Sequence, residues 1–153
     1  MSKPRLAERF VASALCLFAR VLTGVRPQWL GTPPGMRTRI YFANHRSHGD
    51  FLLIWASLPT AVRYQTRPVA AADYWLCGRL RQYIAKRAFR AVLIDRSHTG
   101  SSSNPVQQMS EALTAGDSLI LFPEGTRNLG EGVMPFKSGL FHLACKHPEV
   151  ELV

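Results

Sequence analysis

The chain has 153 residues, 46% of them hydrophobic and 19% charged, which is enough for one domain with its own core and too few for two; a disordered tail protein is excluded. Nineteen Lys and Arg against ten Asp and Glu leave a net charge of +9. The excess sits in the first 100 residues, with 16 basic and 4 acidic side chains against 3 and 6 in the remainder, and it points to an anionic partner: nucleic acid, a phosphorylated substrate or an anionic membrane surface.

After a basic start (Lys3, Arg5, Arg9) comes an apolar stretch from Phe10 to Ala19, then Arg20 and a second short apolar run. Ten apolar residues are too few to span a bilayer. The flanking charge and length fit a signal-peptide hydrophobic region, but Arg20 and Arg26 stand where a small-residue cleavage site is needed. An interfacial anchor fits better, with Arg9 and Arg20 snorkelling to the headgroups; a helix packed on the domain's own core is the plain alternative. Residues 1–30 therefore read as a membrane-associating segment and residues 31–153 as the main domain.

From Thr38 onward apolar runs alternate with helical patterns. Strands are predicted at Thr38 to Phe42, Arg67 to Ala72, Ala91 to Ile94 and Ser118 to Phe122, and helices at Phe51 to Leu58, Trp75 to Ala88 and Ser138 to Lys146. The best-signalled helix follows Asn104, a natural N-cap; Pro105 suits its first turn, Val106, Met109 and Leu113 line one face, and Gly116 ends it. Such alternation specifies an α/β fold. Val150 to Val153 reads as the start of another strand, cut off without a turn or polar cap, as in a truncated chain. Cys16, Cys77 and Cys145 are odd in number and widely spaced, so neither a disulfide framework nor a zinc site is implied.

Three segments follow predicted strands, where an α/β sheet presents its ligands. In Asn44-His45-Arg46-Ser47-His48-Gly49-Asp50, His45 and Asp50 would diverge by about 140° on a continuous helix, but they can meet across a turn at Gly49. A carboxylate on one imidazole nitrogen would then leave the other free as a base; taken alone, the same residues could be an N-cap and a loop histidine. His48, two residues from Asp50, is a rival base and reads better as solvent-facing. In Phe122-Pro123-Glu124-Gly125-Thr126-Arg127, Pro123 ends the ladder, Gly125 permits close backbone approach, and Arg127 can grip a phosphate with two parallel hydrogen bonds. This is not a P-loop, because Glu131 stands where lysine is required. In Ile94-Asp95-Arg96, Arg96 offers a second positive group, and Lys137 in Pro135-Phe136-Lys137-Ser138-Gly139 a third.

Taken in order, these segments resemble the glycerolipid acyltransferase family, whose best-known members are the 1-acylglycerol-3-phosphate acyltransferases. The resemblance covers about residues 38–153 and rests on Asn-His-x-x-x-x-Asp at 44–50, Ile-Asp-Arg at 94–96, Phe-Pro-Glu-Gly-Thr-Arg at 122–127 and Pro-Phe-Lys-Ser-Gly at 135–139. It implies a mixed, largely parallel sheet flanked by helices. It implies His45 as general base, Asp50 as its orienting partner, and Arg96, Glu124, Gly125, Thr126 and Arg127 as the acceptor site, with Asn44 and Lys137 as further candidates. The family's next motif would begin just past Val153, and at Ala70-Ala71-Ala72-Asp73 many relatives carry a lysine.

The implied reaction moves a fatty acyl group from an acyl thioester, on coenzyme A or acyl carrier protein, to a lysophospholipid hydroxyl at the cytoplasmic face of a membrane, with no cofactor or metal. A thioester is already activated, and Gly-x-Ser-x-Gly is absent, so no covalent nucleophile is called for. Two other classes are less consistent with the residues. A non-catalytic module binding anionic lipid explains the charge but not Asp50 and Glu124 inside the motifs; nucleic acid is disfavoured because aromatic and basic residues do not interleave. A phosphoester hydrolase would need a metal cluster of carboxylates and histidines that cannot be assembled here.

Overall fold

Short apolar runs separated by helical crossovers favour parallel pairing, and the chain follows this in each pairing found. Its computed structural model describes residues 6–95 and 104–153. Strands β1 (Arg39–Phe42), β2 (Thr66–Ala71), β3 (Val92–Ile94), β4 (Ser118–Leu121) and β5 (Glu151–Leu152) form one sheet in the order β3-β2-β4-β1-β5. Every pairing among the described residues is parallel, which corrects the mixed sheet expected. The β1–β5 ladder extends to Val153, whose N–H donates to Ile40 and whose carbonyl accepts from Phe42.

Alternation along the strands builds two cores. Tyr41 and Ile120 face one side, with Trp55, Leu58, Val62 and Phe89; Ile40, Leu119 and Leu121 face the other, with Met109, Leu113 and Leu143. Helices α1 (Leu6–Thr23), α2 (Asp50–Ser57) and α3 (Thr60–Gln65) belong to the first side, and α6 (Pro105–Thr114) and α7 (Gly139–Lys146) to the second. The Asn104 side chain accepts from Val106 N–H at 2.9 Å and Gly116 turns the chain with φ +83°, as the sequence requires. The expected long helix from Trp75 to Ala88 is instead broken into α4 (Ala72–Trp75), α5 (Arg79–Tyr83) and a π-helical turn (Ile84–Ala88). Gly78, at φ +94°, makes the break, a conformation side-chain-bearing residues rarely take.

The short α3 escapes sequence reading because it follows Pro59 at once. It places Arg63, 6% exposed, beneath α2, where the guanidinium donates to the carbonyls of Trp55, Ala56 and Leu58. A cation at a helix C-terminus satisfies carbonyls that lack intrahelical partners. Arg20, one turn from Cys16 and itself exposed, donates to the same Ala56 carbonyl from beside the face α1 buries, which corrects its expected reach toward headgroups. That face is made of small residues, Ala12, Cys16 and Ala19, while Leu6, Phe10, Leu17 and Val21 share an arc of about 60° on the exposed side. Arg9 rests over the Tyr64 ring at 4.8 Å. No helix among the described residues is long and apolar enough to cross a membrane.

Candidate active site

Because β1 and β4 are neighbours, the chain leaving each strand at its carboxyl end meets the other. The segment after β1 carries His45 and turns at Gly49 so that Asp50 opens α2. His45 Nδ1 lies 3.0 Å from Asp50 Oδ2, and that oxygen also accepts from the N–H groups of Arg46 (2.7 Å) and Ser47 (2.8 Å). An ionised carboxylate can only accept, so Nδ1 carries the proton and Nε2 is left as a base. Burial pushes the Asp50 carboxyl up, but the hydrogen bonds from Ser47, Arg46 and His45 outweigh it and hold it below its ordinary value.

The segment after β4 grips the same histidine from the other side. The Phe122 ring stacks on the imidazole with centroids 4.2 Å apart and planes 14° apart. Glu124 Oε1 accepts from His45 N–H at 2.9 Å, and Asn128 N–H donates to the His45 carbonyl. Both backbone groups of His45 are thereby committed to residues about 80 positions away, and the ring plane is set by packing.

The predicted site residues divide accordingly. His45 and Asp50 come together as expected. Glu124, placed by the resemblance in the acceptor site, is 2% exposed, and its second oxygen, Oε2, is buried without a hydrogen-bond partner among the described residues; the carboxylate supports His45 and offers no open face to a ligand. Gly125, Thr126 and Arg127 are exposed on the turn beyond it, and Asn44 is exposed beside His45. Gly125 has φ +72°, and a Cβ there would fall 2.7–2.9 Å from the Lys137 side chain; the backbone N–H of Lys137 donates to Pro123 O at 2.8 Å. Lys137 is thus folded onto the Phe122–Arg127 turn. Arg96 lies outside the described residues, as do Lys3, Arg5 and most of the serine-rich stretch. The strand leading to it, β3, is separated from β4 by β2.

Sequence reading names Phe122 only as part of a motif and misses Asn128 altogether; the Asn-x-Gly at 128–130, a turn signal, is the clue, since Asn128 Oδ1 accepts from Gly130 N–H and its amide donates to Gly132 O. His48 is exposed and stacks on Tyr74 with centroids 4.6 Å apart. Elsewhere Ser110 Oγ, His147 Nε2 and Glu149 resemble a hydrolytic triad, with 2.7 Å and 3.2 Å contacts. Ser110, however, is 3% exposed inside the α6 packing face, so this group ties α6 to the approach to β5.

Among curated proteins, the chain is 31% identical to 1-acyl-sn-glycerol-3-phosphate acyltransferase alpha from Mus musculus over 86% of its own length and 45% of the mouse protein. It is 30% identical to 1-acyl-sn-glycerol-3-phosphate acyltransferase from Haemophilus influenzae, over 69% of this chain and 42% of that protein. It therefore spans less than half the length of these relatives. The fold matches the crystal structure of the 1-acyl-sn-glycerophosphate acyltransferase from Thermotoga maritima, with TM-score 0.68 and 22% identity, over 92% of this chain and 55% of that one. The acyltransferase family pattern matches residues 34–153, a span that contains the His45–Asp50 pair and both strands that hold it, and on that match the chain belongs to the acyltransferase family.

Proposed function

We propose that the protein moves a fatty acyl group from an acyl thioester, carried by coenzyme A or acyl carrier protein, to the free hydroxyl of a lysophospholipid, with 1-acylglycerol-3-phosphate as acceptor and phosphatidic acid as product. The observation that carries this reading is the Asp50-bound Nδ1 of His45, which leaves Nε2 as a base held rigid by Phe122 and Glu124. Nε2 takes the hydroxyl proton as the acceptor oxygen attacks the thioester carbonyl. The C–S bond breaks as the C–O bond forms, and the imidazolium, stabilised by Asp50, returns the proton to the departing thiolate. Arg127 on its exposed turn, with Gly125, Thr126, Lys137 and Arg96, is assigned to the anionic headgroup, so that positioning supplies much of the rate.

The outward arc of α1 supports attachment to one leaflet: Leu6, Phe10, Leu17 and Val21 would enter the interface while the small-residue face stays on the protein. The net charge of +9 suits an anionic cytoplasmic leaflet. Labelled acyl-coenzyme A and acyl carrier protein, each offered to the full-length protein with a panel of lysophospholipids, test the reading. Labelled phosphatidic acid is the expected product. Transfer to a different lysolipid alone would change the acceptor, and transfer that persists in His45→Ala would remove the proposed base.

A further inference from the structure

The base and Arg127 do not stand alone at the mouth of the site. Three side chains from separate segments form a column beside them: the His48 imidazole lies parallel to the Tyr74 ring, centroids 4.6 Å apart and planes 15° apart, and the Arg81 guanidinium sits over the same Tyr74 ring at 4.8 Å. Tyr74 belongs to α4, which follows β2, and Arg81 to α5, beyond the Gly78 break. β2 is the neighbour of β4, so the column rises from the strand next to the one that delivers Arg127. A stacked guanidinium keeps its in-plane N–H groups available to oxygen ligands while its face is occupied. Desolvation, followed by the electrostatic influence of Arg127, His45 and Arg81, holds the His48 imidazole below its ordinary pKa. His48 is therefore a neutral hydrogen-bonding group at pH 7, lying within the fields of both arginines.

We propose that Arg81, held over Tyr74 on the face opposite His48, is a specificity-determining residue that joins Arg127 in gripping the phosphate of the acyl acceptor. Two arginines approaching one phosphate from segments that follow neighbouring strands can each form paired hydrogen bonds to its oxygens, which the point charge of Lys137 cannot. A phosphate held between them would lie on the His45 side of the column, since His48 adjoins His45 in the same turn. The break at Gly78 acquires a purpose in this reading: an uninterrupted helix from Trp75 to Ala88 would place Arg81 and Tyr74, seven residues apart, about two turns from each other along the axis, too far for the guanidinium to cover the ring.

The inference rests on the acyl-transfer reading, and the experiment separates their failures. Acceptor and donor KM are measured with 1-acylglycerol-3-phosphate and acyl-coenzyme A for the full-length wild type, Arg81→Gln, Arg81→Lys and Tyr74→Leu. Arg81 is exposed, so its substitutions spare the core. Arg81→Gln is expected to raise the acceptor KM about tenfold, with donor KM unchanged and kcat within about twofold. Arg81→Lys should recover part of the loss, and Tyr74→Leu should show a smaller rise in the same constant. The wild-type acceptor KM should also climb more steeply with salt than that of Arg81→Gln, a difference that a merely structural residue would not produce. An unchanged acceptor KM in Arg81→Gln, or a rise confined to the donor, overturns the arm while leaving acyl transfer intact. A wild type that acylates no phosphorylated acceptor overturns the acceptor reading and the arm together.

Discussion

The imidazole of His45 lies flat against the phenyl ring of Phe122, 4.2 Å between centroids, although 77 residues separate them. One residue belongs to the turn after β1 and the other to the end of β4, so the stack exists only because those strands are neighbours. It fixes the ring plane, and the hydrogen bond to Asp50 fixes the rotation within that plane and the tautomer. A base restrained in both respects loses little entropy when the acceptor hydroxyl arrives. Phe122→Leu keeps apolar volume but removes the flat partner. Its kcat should fall about fivefold to tenfold with acceptor KM little changed; steady-state kinetics at saturating donor check this.

His45→Ala should lower kcat about 100-fold to 10,000-fold, the usual worth of a general base, while circular dichroism stays that of wild type. Asp50→Asn should cost less, because a misoriented imidazole is still a base. His48→Ala should act mainly on acceptor KM. A larger kcat loss in His48→Ala than in His45→Ala would reassign the base.

Glu124 receives the His45 N–H in a buried setting. Glu124→Gln retains a carbonyl oxygen to accept that hydrogen bond and should keep most of the activity. Glu124→Ala leaves the N–H without its partner, so it should lower thermal stability by about 1–3 kcal/mol and reduce kcat together with it. Equal effects of the two substitutions would mean that the charge, rather than the backbone hydrogen bond, matters.

Asp50 also carries a pH signature. Its carboxyl is held below the ordinary value in the folded state by Ser47, Arg46 and His45, against the upward push of burial. A depressed carboxyl stabilises the fold at pH above its unfolded value of about 4 and loses that contribution as pH falls through the folded value. Wild type should therefore exceed Asp50→Asn in stability at neutral pH, and the gap should shrink below about pH 4. Denaturant melts at pH 7, 5 and 3 measure it; a gap independent of pH would show that Asp50 acts by packing alone.

Arg127→Lys keeps the charge and loses the two-pronged donor. The acceptor KM should rise roughly tenfold for a phosphorylated acceptor, and kcat should fall if the clamp also aligns the hydroxyl with His45. Donor KM should not move. An effect on the donor alone would take Arg127 out of the acceptor site.

The exposed arc of α1 predicts membrane attachment that depends on its large side chains. Leu17→Glu with Val21→Glu should release the full-length protein from anionic vesicles in a flotation assay without unfolding it, since both positions face away from the core. Retention of the double variant on vesicles would assign attachment to another surface.

Local signals were enough to read a good part of this molecule from its sequence. Asn104, Pro105 and Gly116 bound α6 because capping and left-handed turns depend on the residue itself, and the strands lie within a residue or two of their apolar runs. The His45–Asp50 pair was legible for the same reason: its members stand five positions apart and are joined by one local turn. The sheet order had to come from the tertiary structure, and with it the meeting of the β1 and β4 turns, because periodicity reports that a strand is buried but not which strand lies beside it. Glu124 turns inward to an N–H 79 residues earlier, and Arg20 and Arg63 converge on the end of α2; both choices are made by distant carbonyl and amide groups that need partners once buried. Gly78 signals a break, but only packing brings Arg81 back over Tyr74. The division follows from range: what the backbone and its nearest neighbours dictate can be read along the chain, whereas a buried polar group's partner is settled only when the sheet has closed around it.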